Sequence, residues 1–224
     1  LRKVVLPQSC VSLGLLSDIQ NNAASGTFYG CTNLREINLE HVEYICDRSF
    51  YGCSSLEIDF VNDKVTELNV VFYNSGIKSI NCPNLREIDS AFAYCSNLQG
   101  DVYLPNLESI GVESFRGTLI STVSSLGNIT EIGGRTFNGC TNLKKCVLPS
   151  TLQSIGSTAF YQCTGLESLI LNSTVPPTLA DNAFLQASSM FKIYVPDVSV
   201  DAYKAANYWK NFASRIYPLS EYQE

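Results

Sequence analysis

Apolar positions along this chain fall into two short ladders and an aromatic turn, and the three return together. The first ladder has the form L-x-x-I-x-L and appears as Leu34/Ile37/Leu39, Ile77/Ile80/Cys82, Leu143/Cys146/Leu148 and Leu166/Leu169/Leu171. Leu98/Val102/Leu104 carries one extra residue and Leu56/Ile58/Phe60 lacks one. The second, L-x-x-I, appears as Val42/Ile45, Val65/Leu68, Leu85/Ile88, Leu107/Ile110, Ile129/Ile132 and Leu152/Ile155. Such alternation predicts short strands with one buried face. Pro83, Pro105 and Pro149 lie between the ladders and mark strand ends, because proline donates no hydrogen bond to a sheet.

Phenylalanine sets the period. It stands at 28, 50, 72, 92, 115, 137, 160 and 184, with gaps of 22, 22, 20, 23, 22, 23 and 24. Phe28-Tyr29-Gly30-Cys31, Phe50-Tyr51-Gly52-Cys53, Phe137-Asn138-Gly139-Cys140 and Phe160-Tyr161-Gln162-Cys163 share a template, and a small polar pair and a Leu follow each. The Phe segment predicts a turn or brief helical piece, with Gly30, Gly52, Gly117 and Gly139 at its bends. One such unit cannot hide its own apolar side. Stacked units put Leu on Leu and Phe on Phe, giving one continuous core.

The combined pattern L-x-x-I-x-L-P…L-x-x-I-G…A-F-x-x-C-x-x-L resembles the BspA-like class of leucine-rich repeat. Its clearest copy runs from Leu143 to Leu166, with Leu148-Pro149, Leu152, Ile155-Gly156, Ala159-Phe160 and Cys163 in order. The resemblance implies a right-handed leucine-rich-repeat solenoid of short strands, turns and short helices with a C-terminal helical cap. It also implies a bacterial exported or surface protein that adheres to host matrix proteins or to other cells. It carries over no ligand-binding residues.

The expected organisation is one continuous domain. Residues 1–27 supply an N-terminal strand and an irregular capping repeat, with Gly14 to Gly26 as the irregular part. Residues 28–195 hold the repeats, and residues 196–224 form the cap. After Pro196 a helix is expected, with Ser199 or Asp197 as N-cap, and with Tyr203, Ala206, Trp209 and Phe212 over the open end of the core. The chain begins without Met or an apolar leader, and so reads as a fragment.

Composition narrows the partners. The net charge is -6, and no basic stripe is present to neutralise phosphates, which argues against nucleic acid. No apolar run is long enough to span a membrane. Nine cysteines invite a metal or disulfide reading. Five of them, however, sit three residues after a repeat Phe, where other repeats place Ser75, Thr118 and Ala187. The shared property is small size, so these read as buried thiols acting as small hydrophobes. Bridges between adjacent repeats, Cys31 to Cys53 or Cys140 to Cys163, stay open as an alternative. There is no C-x-x-C and only one histidine, His41, so neither a zinc site nor any other cofactor is expected. His41 falls in a loop between ladders. Glu36, Glu57, Glu87 and Asp101 are carboxylates of the kind glycoside chemistry uses, but nothing sets them apart from solvated strand faces. Asn128 and Asn172 begin glycosylation triplets.

On the outward face, the position between the last two ladder residues reads Asn38, Asp59, Asn81, Tyr103, Ser124, Val147, Ile170 and Tyr194. Tyr103, Val147, Ile170 and Tyr194 are therefore the candidate binding stripe, facing a protein or glycan. The expected function is a non-enzymatic binding and adhesion module. The alternative is a structural spacer for another domain, with a solenoid-borne hydrolase last. The sequence leaves the ligand and the oligomeric state undetermined.

Overall fold

The protein is a parallel β-solenoid with a short helical segment at its C-terminal end. This computed structural model describes residues 1–14 and 26–223, so most of the expected irregular stretch between Gly14 and Gly26 lies outside the described residues.

Both ladders form strands, and every strand pair among the described residues is parallel and joins neighbouring turns. The larger first-ladder sheet contains Gln99–Tyr103, Leu119–Ser125, Lys145–Leu148, Ser168–Leu171, Lys192–Val195 and Ile216–Pro218. Ahead of it, Asp59–Val61 pairs with Ser79–Asn81, and Lys3–Val4 with Glu36–Ile37. The second ladder makes its own sheet in three pieces, of which Glu67–Asn69, Glu87–Asp89 and Ser109–Ile110 form one. Length irregularities show up as local faults. The extra residue near Leu98 becomes Gly100 at φ 87°, and the facing strand slips register after Ile120 and again after Val123.

The Phe corner is held as firmly as the sheets. Successive rings from Phe28 through Phe184 stack with centroids 5.1 to 6.0 Å apart and planes within 25° of parallel. From Phe28 to Phe160 each of these N–H groups also donates to the next turn, as from Phe50 to Val71 O at 2.9 Å and from Phe137 to Ala159 O at 2.8 Å. The N–H two residues later does the same, as from Gly52 to Tyr73 O at 2.8 Å. The corner is thus a third hydrogen-bonded ladder built of turns rather than a helical piece.

Pointing these N–H groups along the solenoid axis requires left-handed backbone on both sides of the Phe. Two residues after it, Gly30, Gly52, Gly117 and Gly139 have φ between 68° and 75°, as their sequence positions suggested. Asn74, Tyr94, Gln162 and Gln186 adopt the same state without glycine's freedom. Two residues before the Phe, the state falls on Arg48, Val70, Ser90, Glu113, Arg135 and Thr158. A β-branched Val70 at φ 55° is the least comfortable of these. Each such residue costs about 1–2 kcal/mol, which the inter-turn hydrogen bonds offset.

Cysteine does more in the core than fill space. The Cys53 thiol donates to Phe28 O at 3.1 Å, Cys95 to Phe72 O at 2.9 Å, Cys140 to Phe115 O at 3.0 Å and Cys163 to Phe137 O at 3.1 Å. Thr118 in the same slot donates instead to the Phe carbonyl of its own turn, Phe115 O at 2.9 Å, and the Ala187 side chain donates nothing, so the slot asks first for small size. All nine cysteines are free thiols.

At the C-terminal end the Phe column runs into a plug. Phe191 and Phe212 pack on Phe184 at 5.2 and 5.5 Å, and Trp209 lies behind them. Trp209 and Tyr203 are fully buried, and both satisfy their polar atoms on backbone, Nε1 on Pro177 O at 2.7 Å and the hydroxyl on Ser173 O at 2.9 Å. The helix covers Val200–Ala205, but neither expected N-cap makes a capping bond. The Ser199 hydroxyl is drawn inward to Thr174 O at 2.8 Å, while the Asp197 carboxylate accepts the Ser220 N–H at 3.1 Å.

Two outcomes follow. Gly52→Ala should cost about 1 kcal/mol, from left-handed strain alone, because a Cβ there meets only Gly30 Cα at 3.8 Å. Gln162→Gly, at an exposed position with φ 56°, should stabilise by a similar amount, and urea unfolding midpoints measure both. As for the thiols, burial pushes Cys53 and Cys95 up to about 11 and Cys82 and Cys140 up to about 12. A thiol reagent should therefore label only the half-buried Cys10 and Cys31 in the folded protein, and all nine cysteines after denaturation. Because the raised values favour the neutral thiol, their stabilisation is complete below the ordinary thiol value of 9.0. It is lost as pH climbs through about 9 to 12, so the melting temperature should fall steeply over that window.

Candidate binding face

The outer face of the first-ladder sheet carries two rows of side chains, fixed by the parallel register. One row contains Lys3, Glu36, Asp59, Ser79, Asp101, Thr122, Lys145, Ser168 and Lys192. The other contains Val61, Asn81, Tyr103, Val147, Ile170, Tyr194 and Tyr217. The missing residue in the Leu56–Phe60 ladder shifts this assignment from the expected one. Asp59 stands opposite Ser79, and Val61 rather than Asp59 is the neighbour of Asn81.

The four stripe residues separate into two environments. Tyr103 is 59% exposed and Val147 is half-buried. Ile170 and Tyr194 are only 6% and 7% exposed, so the expected open stripe does not run the length of the face. The cover is the chain's own C-terminal segment. Ile216–Pro218 adds a strand beside Lys192–Val195, which brings Tyr217 to 6.0 Å from the Tyr194 ring, and Tyr222 folds back edge-on to Tyr194 at 5.0 Å. Lys145 Nζ sits 5.1 Å over the Tyr222 ring and Lys192 Nζ 5.5 Å over the Tyr217 ring, adding cation–π attraction to the cover. Ser220 donating to Asp197 fastens the same segment and holds that carboxyl below its usual range. What stays open is the N-terminal half, where Val61 is 52% and Tyr103 59% exposed.

The carboxylates do not converge. Glu36 pairs with Lys3 at 2.6 Å, Glu57 with Lys78 at 3.2 Å, and Asp59 accepts the Ser79 hydroxyl at 2.6 Å. Asp101 accepts a hydrogen bond from Ser124. Glu87 belongs to the other sheet, in register with Glu67 and Ser109. On that side burial, and then Glu67, raise the Asp47 carboxyl above its ordinary value. His41 holds the N-terminal segment through Nε2 and Pro7 O at 3.0 Å, which fits a loop residue. Among the described residues no group of three or more His, Cys, Asp or Glu side chains is arranged to hold a metal ion. Surface recesses are open; one of about 480 Å³ lies beside the covered part of the face, against Glu167, Met190, Lys192 and Tyr194. Asn128 and Asn172, which begin the glycosylation triplets, are both exposed.

Comparison with known proteins agrees with this architecture. The family model for the BspA type leucine rich repeat region matches in six copies, over residues 21–144 and 108–208. No curated protein matched the chain. Among solved structures, the chain is similar to a leucine rich cell surface protein from Faecalibacterium prausnitzii at 16% identity and a TM-score of 0.39, covering 94% of this chain and 81% of that one. It is also similar to a leucine-rich repeat protein from Bacteroides ovatus at 16% identity and a TM-score of 0.34, covering 97% and 84%. With the family pattern matched over most of its length and its Phe and Leu ladders stacked turn on turn, the chain belongs to the BspA-type leucine-rich repeat family.

Proposed function

We propose that this chain is a non-enzymatic binding module of an exported or cell-surface protein. It engages a protein or glycan partner through the open, N-terminal half of its first-ladder sheet, with adhesion as its task. The observation that carries the reading is the pair of exposed apolar side chains, Val61 and Tyr103, on strands whose backbone is locked by inter-turn hydrogen bonds. A rigid aromatic anchor loses little conformational entropy on binding, which is why tyrosine recurs at the centre of interfaces. Val147 extends the patch towards the covered half, where Ile170 is buried and Tyr194 serves as the seat of the C-terminal segment. The flanking Glu36, Asp59 and Asp101 favour a partner with basic or hydrogen-bonding groups over an anionic one.

Glu36, Glu57 and Asp59 are taken up by Lys3, Lys78 and Ser79, and burial keeps the core thiols neutral, which supports binding over catalysis. The double variant Val61→Ser/Tyr103→Ser tests the assignment without touching the core. In a screen of the intact chain against purified matrix proteins and immobilised glycans, a captured partner should bind the variant about tenfold or more weakly, the usual scale for losing an interface anchor. Equal binding by the variant, or no captured partner at all, counts against this face.

A further inference from the structure

A second aromatic column runs along the outside of the Phe corner. Tyr29, Tyr51, Tyr73 and Tyr94 stack with centroids 5.0, 4.7 and 5.3 Å apart, and Arg116 continues the row with its guanidinium 4.9 Å over the Tyr94 ring. Tyr94 follows Phe92 by two residues instead of one, yet its ring still reaches the column, edge-on to Tyr73 at 60°. Glu113 accepts from Arg116 at 2.8 Å and from Arg135 at 3.0 Å, so this end of the row keeps a single net positive charge.

The chemistry of the ridge follows from what the stack leaves free. Ring faces are mostly consumed by neighbouring rings, so the ridge offers phenol hydroxyls and ring edges rather than an apolar plate. None of the four hydroxyls is bonded to another described residue. Burial, and then Tyr94 and Tyr51, raise the Tyr73 phenol above its ordinary value, so it stays a neutral donor. Beside the row the floor is bare. A Cβ on Gly30 would meet nothing within 4 Å, and one on Gly52 only Gly30 Cα at 3.8 Å. Tyr29, at the end of the column, is 48% exposed.

A row of like donors whose rings repeat every 4.7 to 5.3 Å, the last turned edge-on, favours a polymer of similar pitch. An extended polypeptide advances about 3.3 Å per residue and repeats its side about every 6.6 Å, so it loses register within the row. A polyproline helix advances about 3.1 Å per residue with three residues per turn, so one side of it returns after about 9.3 Å and meets only every second rung. A nucleic acid needs basic groups to replace its counterions, and this chain carries a net charge of -6. A linear chain of β-1,4-linked pyranose sugars is extended and advances by close to one rung per sugar. It is uncharged, and it presents hydroxyls that donate to and accept from phenols along its length. From this we infer that the tyrosine ridge is a binding site for a linear neutral polysaccharide, lying along the solenoid axis over Gly30 and Gly52 and separate from the sheet face.

Calorimetric titration of the full chain with β-1,4-linked glucan oligomers, from the disaccharide to the hexasaccharide, tests this. Affinity should rise with length up to about the tetramer, one sugar for each of the four rings, and then level off. Tyr51→Phe and Tyr73→Phe keep the stack and remove only the hydroxyls, so each should fold normally by circular dichroism and weaken the tetramer about fivefold, the worth of one neutral hydrogen bond. Val198→Ser, 89% exposed on the C-terminal segment and outside both rows, should leave glucan affinity unchanged. Absence of binding across the series, affinity independent of length, unaltered affinity in both phenylalanine variants, or a ridge that captures an extended peptide in place of glucan would overturn the inference.

Discussion

The constraint behind this structure is translational: every turn must place the same atoms about 5 Å further along one axis. The Phe column states it most plainly, because a ring sandwiched between two identical rings tolerates little change in rise or tilt. The strand ladders impose the same spacing through hydrogen bonds, since neighbouring strands lie about 4.8 Å apart. Two independent interactions with one natural repeat distance reinforce each other. That agreement explains why the corner accepts left-handed backbone at residues as unsuited to it as Val70.

Once the spacing is fixed, surface chemistry becomes periodic as well. A side chain placed at one position in several turns becomes a row, and a row acts as a unit. The outer sheet face and the tyrosine ridge are two such rows on one rigid body. Their difference lies in what the neighbours consume. Tyr103 presents its ring to solvent, whereas Tyr51 spends its faces on Tyr29 and Tyr73 and keeps only its edge and hydroxyl. The C-terminal end shows the opposite need, since a stack must stop. Trp209, Phe212 and Phe191 end the Phe column, and Ile216–Pro218 with Tyr222 closes over the last strands.

Much of this was legible in the sequence, because stacking multiplies every local signal. Eight Phe in register, the two ladders and the closing aromatics were enough to read a solenoid and its plug. What escaped was whatever the period does not encode. A residue missing from one ladder moved Val61 into the slot assigned to Asp59, a slip that only the pairing with Asn81 reveals. Tyr194 looked like surface because its cover comes from a segment outside the repeats, which no periodic argument reaches. The cysteine slot was read as small, and its hydrogen bond to the Phe carbonyl of the preceding turn needed coordinates. The tyrosine row was visible as Phe-Tyr dipeptides, but Tyr94 broke the spacing and hid its membership.

The measurement that goes most directly to the shared axis is hydrogen exchange on Phe115→Ala beside the parent protein. Phe115 stands fully buried in mid-column between Phe92 and Phe137. If the stack holds the turns together, removing this ring costs about 3–5 kcal/mol, and protection falls in the turns on both sides, including the strands Glu87–Asp89 and Glu131–Ile132. A loss below about 1 kcal/mol, confined to the substituted turn, would contradict the account, because an ordinary surface change has that size.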